Sequence, residues 1–125
     1  MTDLLDLAAR VEAAGADEQY QMLAMAFDAV FPEHELQGTP HIEWKHEYRA
    51  FRNMLAAEAY ESAAMMLVPD GYAFGCGHGT DLERFPGWAW CGKDEGAYIF
   101  AETPALALTA ACLRAHHARE AQDAE

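Results

Sequence analysis

Gly71-Tyr-Ala-Phe-Gly-Cys76, Trp88-Ala-Trp-Cys-Gly92 and Ala97-Tyr-Ile-Phe-Ala101 are the three runs whose reading decides the fold. Each alternates large and small residues with a period of two. This predicts three short strands, Tyr72–Cys76, Trp88–Gly92 and Ala97–Ala101. Read by parity, Tyr72, Phe74, Trp88, Trp90, Tyr98 and Phe100 share a bulky face. Ala73, Gly75, Ala89, Cys91, Ala97, Ile99 and Ala101 share a flat one. The expectation is an aromatic face forming the core under helices. Left uncovered, the same face is a binding surface.

Periodicity on either side of these runs is helical. Asp3 can cap a first helix that carries Leu4, Leu7, Ala8, Val11 and Ala14 and stops at Gly15. Asp17 can cap a second, with Tyr20, Leu23, Ala24, Phe27 and Phe31 as its stripe, ended by Pro32. Two prolines and a glycine make residues 32–44 a loop. Tyr48, Phe51 and Leu55 start a third helical stretch near Lys45, either continuous to about Leu67 or broken near Glu58. Pro69-Asp-Gly71 reads as a turn, Gly77–Gly87 as a long loop and Lys93–Gly96 as a hairpin turn. Thr103-Pro104 opens the last helix, with Leu106, Ala107, Ala110, Leu113 and Arg114 facing inward. The fold class is therefore α+β: a short antiparallel three-stranded sheet with helices packed on its faces, in the order α-α-α-β-β-β-α.

The 125 residues suit a single domain. Three cysteines are an odd count, which argues against a disulfide framework. With neither a secretory signal nor a membrane-length apolar run, the expectation is a soluble protein of the reducing cytoplasm with Cys76, Cys91 and Cys112 as thiols. The 21 acids against 8 bases give a net charge of −13. Asp3, Asp6, Glu12, Asp17, Glu18, Asp28, Glu33, Glu35 and Glu43 stand against Arg10 alone in the first 43 residues. Such a charge repels nucleic acid and anionic membranes, and it favours a basic protein surface.

Candidate chemistry is sparse. Cys76, His78 and Cys91 could converge as thiol or metal ligands, but a closed zinc site needs a fourth ligand that no spacing supplies. His34-Glu35 and His46-Glu47 each open a zinc-protease pattern whose second histidine is absent, since Gly38 and Ala50 stand there. The glycines around Cys76 lack the lysine of a phosphate loop. No catalytic residue, metal or cofactor is assigned. The segment His41–Arg52 is more distinctive. Trp44, Lys45, Tyr48, Arg49 and Arg52 combine residue types enriched at interfaces, with the three cations on one helix face. Together with Glu33 and Glu35 of the acidic third they form the candidate partner-binding set. The bland reading of the cationic segment is an intramolecular match for the acidic N-terminal helices, and the other is a contact with a partner or a second copy of the chain.

Asp3–Ala14, Ala63–Gly71 and Thr103–Arg114, in this order and separation, resemble a family of small phage and prophage proteins, the phage ABA sandwich domain. The resemblance covers about a third of the chain and implies helices on both faces of a sheet. It carries no established activity, so no site residue follows from it. Together these readings lead to a non-enzymatic phage accessory protein acting by protein–protein binding. One concrete target is a host defence complex that grips nucleic acid, such as a CRISPR effector. The alternatives are a self-associating structural protein and a small thiol- or metal-dependent enzyme.

Overall fold

The computed structural model describes residues 3–31, 41–79, 86–93 and 97–123, with the side chains of 41–44 and 123 set aside. Its elements are helix α1 (Leu4–Ala13), a 3-10 turn (Ala16–Glu18), α2 (Gln19–Val30), α3 (His41–Ala56), α4 (Tyr60–Met65), strands β1 (Ala73–His78), β2 (Gly87–Gly92) and β3 (Ile99–Ala101), and α5 (Pro104–Asp123). The sheet is antiparallel in the order β1-β2-β3. The α+β class and the three-stranded antiparallel sheet are as expected.

Local chemistry explains most boundaries. Asp3 caps α1 by accepting from the amides of Leu5 and Asp6 at 2.9 and 3.3 Å. Asp17 does not cap α2. Instead, Glu18 accepts from the Gly15 amide at 2.8 Å and closes a 3-10 turn that leads into the helix. The third helix begins at His41 rather than near Lys45. In sequence Pro40 stands immediately before it, and proline is tolerated where the first helical N–H groups have no partner. Residues 32–40 and the middle of the Gly77–Gly87 segment lie outside the described residues.

The break between α3 and α4 falls at Glu58, the second of the two readings. Its φ of +60° is left-handed. The Ala59 amide reaches back to the Met54 carbonyl at 2.8 Å, and the Glu58 amide to that of Leu55 at 3.0 Å. These are the two bonds of a Schellman motif, with glutamate where glycine is usual. Gly71, with φ +82°, supplies the positive φ of the turn closed by the Tyr72 amide on the Pro69 carbonyl.

Helix α5 is the centre of the molecule. Every residue from Ala105 to Leu113 is buried, Thr109 included. Its apolar residues go all the way round, so the inward stripe read from sequence is only part of its contact surface. It packs against α1, α2, α4 and all three strands. Thr109 satisfies its hydroxyl on the Ala105 carbonyl within the helix, at 2.7 Å, so its burial leaves no polar group unpaired. Arg114 of α5 binds Glu12 of α1 through Nε at 2.8 Å and a second nitrogen at 2.6 Å. Both side chains are about one-third exposed, which limits the pair to under about 1 kcal/mol.

A second cluster joins α2 to α3. Phe27 stacks on Phe51 with centroids 4.4 Å apart and meets Phe31 and Tyr48 at 5.2 and 5.9 Å. Both Phe27 and Phe51 are fully buried. Burying a side chain of this size contributes about 1.5–3 kcal/mol.

Candidate functional site

The sheet register overturns the parity reading at β1. Phe74 pairs with Cys91, Gly75 with Trp90, Cys76 with Ala89 and Gly77 with Trp88. Directly paired residues share a face. Phe74 and Cys76 thus lie with Ala89 and Cys91 on the side packed by α5, and the glycines of β1 lie with the tryptophans. On β3, Phe100 pairs with Trp88 and Ile99 with Ala89, which keeps the expected parity there.

The face carrying Trp88, Trp90 and Phe100 is also not the core. The helix-packed face is the small one, where Ala89 is fully buried and Ala101 nearly so. A helix seats closely on small side chains, and α5, rich in alanine, does so here. The aromatic rings project the other way. Tyr98 and Phe100 are each 44% exposed, while Trp88 and Trp90 are half-buried.

Local packing turns these rings into a platform. A Cβ placed on Gly75 would lie 2.5 Å from Trp90 Nε1, and one on Gly77 would lie 2.9 Å from Trp88 Cζ2. The two indoles therefore lie flat over the two glycines of the neighbouring strand, a close approach that no other residue permits. Trp88 Nε1 donates to the His78 carbonyl at 3.0 Å, which fixes the ring across β1. Tyr98 stacks on Trp88 with centroids 5.4 Å apart and planes 20° from parallel. Such a surface can stack on planar or cationic groups and bury apolar side chains.

Of the residues singled out on α3, Lys45, Arg49 and Arg52 are exposed and Tyr48 is half-buried. Arg52 turns its guanidinium toward Tyr20 and Tyr48, at 5.5 and 5.9 Å from the ring centres. This places Arg52 against the acidic N-terminal helices through an aromatic ring. The cleft between α2 and α3, lined by Ala24, Phe27, Asp28, Tyr48, Phe51 and Arg52, has a volume of about 20 Å³. That admits a water molecule but no organic ligand. Trp44 lies in α3 with its side chain outside the described residues, and Glu33 and Glu35 lie outside them altogether.

The cysteines form a group that spacing alone did not reveal. Cys76 and Cys91 occupy the helix-facing side of β1 and β2, against α5, in which Cys112 is buried. Cys112 beside it holds the Cys91 thiol below its ordinary pKa. Cys91, and then burial, pushes Cys112 well up. Burial, followed by Glu61, raises Cys76. His78 is exposed at the strand end. Among the described residues no three histidine, cysteine or carboxylate side chains converge as metal ligands, so Cys76, His78 and Cys91 are not brought together as a ligand set.

Comparison of the chain with protein-family models, curated proteins and solved structures finds no match. No described helix is long and apolar enough to cross a membrane.

Proposed function

We propose that the protein is a non-enzymatic binding module that holds a basic protein partner on its aromatic sheet face. The observation that supports this most is the pairing of that face with a net charge of −13. Aromatic side chains dominate interface hot spots because they bury large rigid areas at small entropic cost. A negative field concentrates cationic partners, whose guanidinium groups stack on indole and phenol rings. The exposed cations of α3 form a separate polar surface, suited to specificity at the rim of a contact.

In its finer form, the reading is a phage or prophage accessory protein whose acidic surface occupies the phosphate-binding groove of a host nucleic-acid-handling complex. Self-association is the second reading, because β1 and β3 are both sheet edges. Two copies carrying −13 each repel one another, which weighs toward a basic partner.

The test is affinity capture from host lysate with the wild-type chain, Trp88→Ala and Phe100→Ala, read across a salt series, with sedimentation of the free protein alongside. The proposal expects nucleic-acid-handling proteins that are retained by wild type, lost with either variant and weakened by salt. Capture that is identical for all three chains, or insensitive to salt, overturns it. A stable oligomer dissolved by the same substitutions supports self-association instead.

A further inference from the structure

Among the described residues β1 pairs with β2 alone, so its other side is a sheet edge. The register fixes which backbone groups face outward there. The Gly79 amide donates to the Pro86 carbonyl at 3.2 Å, one step beyond the His78–Gly87 pair. Hydrogen-bonded and non-bonded pairs alternate along an antiparallel ladder. Gly77–Trp88, Gly75–Trp90 and Ala73–Gly92 are therefore bonded pairs, and Phe74, Cys76 and His78 turn their N–H and C=O groups away from β2. Trp88 agrees with this phase. Its indole lies over Gly77 and donates to the outward His78 carbonyl at 3.0 Å. The outward groups of Phe74 and Cys76 and the His78 N–H have no backbone partner among the described residues.

Edges are usually blunted by lysine, proline, a bulge or a covering segment. Ala73-Phe-Gly-Cys-Gly-His78 has no charged residue and no proline, and its pairing with β2 runs without a bulge. It is also six residues long, against three for β3 at the opposite edge. We propose that β1 is the docking edge for the basic partner, an extended segment of which, with arginine or lysine at every second position, adds to the sheet as another strand. The docking edge rests on the basic-partner reading above and adds the way that partner is held. Main-chain bonds to Phe74, Cys76 and His78 supply affinity, and alternate side chains supply choice. Side chains opposite Gly75 and Gly77 fall on the aromatic face, beside the indoles that reach across β1, where a guanidinium can stack. None of the three strands carries Asp, Glu, Lys or Arg, so the field at the edge is set by the chain's −13. That charge favours a cationic strand over the β1 of a second copy.

The experiment follows amide hydrogen exchange by NMR in the full chain, with and without a short peptide of alternating arginine and valine. In the free chain the Phe74, Cys76 and His78 amides should exchange faster than those of Gly75 and Gly77. The peptide should slow the first three by at least about tenfold, leave the two glycines unchanged, and lose hold as salt rises. N-methylation of one alternate set of its amides should abolish binding and of the other set should not, because only one set faces β1. A glutamate–valine peptide should not bind. Outward amides already slow in the dilute free chain overturn edge docking, as do equal effects of the two methylations. An arginine peptide that shifts the indole N–H resonances without slowing those amides also overturns it, and leaves the aromatic-face reading standing. No binding at low salt counts against both. Protection that needs no peptide and grows with protein concentration makes the occupant a second copy and overturns the basic segment.

Discussion

Adding one methyl group at Gly75 and, separately, at Gly87 tests how the aromatic platform is built. At Gly75 the new Cβ would stand 2.5 Å from Trp90 Nε1 and 3.0 Å from Cε2. Ordinary contact is near 3.5 Å, so the indole must retreat by roughly 1 Å. It can do so, because the ring is only half-buried and lies on the sheet face turned away from α5. Overpacking costs about 1–3 kcal/mol, and replacing glycine by alanine returns about 0.4–1 kcal/mol through the unfolded chain. The net loss expected for Gly75→Ala is under about 2 kcal/mol, with a displaced Trp90. At Gly87 the Cβ would run into the backbone of Thr103 and, at 2.6 Å, the Pro104 nitrogen, at the start of α5. Backbone there cannot swing aside, because α5 is locked by every neighbour. Gly87→Ala should cost about 3 kcal/mol or more. Urea unfolding measures both, and the indole N–H resonances report the position of Trp90. Equal losses in the two variants, or an unmoved Trp90 signal in Gly75→Ala, would refute the idea that the rings rest on glycine.

Three further outcomes follow from single residues. Glu58→Gly should stabilise the protein by about 0.5–1 kcal/mol, because left-handed backbone costs a side-chain-bearing residue more than glycine's added freedom takes back; thermal unfolding checks it. Thr103→Ala should cost about 1 kcal/mol in urea unfolding, through loss of the α5 N-cap bond to the Leu106 amide at 3.1 Å; its hydroxyl also donates to Gln19 Oε1 at 2.7 Å, which that substitution removes as well. His116 bonds the Leu67 carbonyl at 2.7 Å, and burial holds its pKa below 6.5 despite that bond. Its neutral form belongs to the folded state, so its contribution is whole above about pH 6.5 and is lost as pH falls through the lower folded value. Unfolding midpoints between about pH 7.5 and 5 should therefore fall less steeply in His116→Gln than in wild type.

Much of the architecture was legible because it rests on short-range rules. Asp3, Thr103-Pro104 and Pro69-Asp-Gly71 act on their immediate neighbours, and each sits where its chemistry requires. The alternation in Trp88–Gly92 correctly put both tryptophans on one face. Pairing register depends on the partner strand, however, and the aromatic Tyr72 and Phe74 suggested the wrong phase for β1. The usable signal was Gly75 and Gly77: two glycines at a spacing of two suit a strand that must lie beneath large rings. Which face met the helices was hidden for a similar reason. Bulk is usually buried, but the alanine-rich α5 seats on small residues and leaves the rings outside. Its uniformly apolar run from Ala105 to Leu113 was the available hint of a central helix. That Cys91 faces α5, the helix of Cys112, depends on packing of a strand on a helix, which neither periodicity nor spacing could show.

The helix at the hub is also the described element that comes last along the chain. Arg114 meets Glu12 across 102 positions of sequence, so most of the interior between the first helix and the sheet waits for that closure. Until then the small-residue side of the sheet stays wet, and the chain must bear the loop entropy of its longest connections before it gains their reward. Slow, all-or-none acquisition of structure follows, with the nascent polypeptide holding sticky alanine and leucine surfaces until its final described segment arrives.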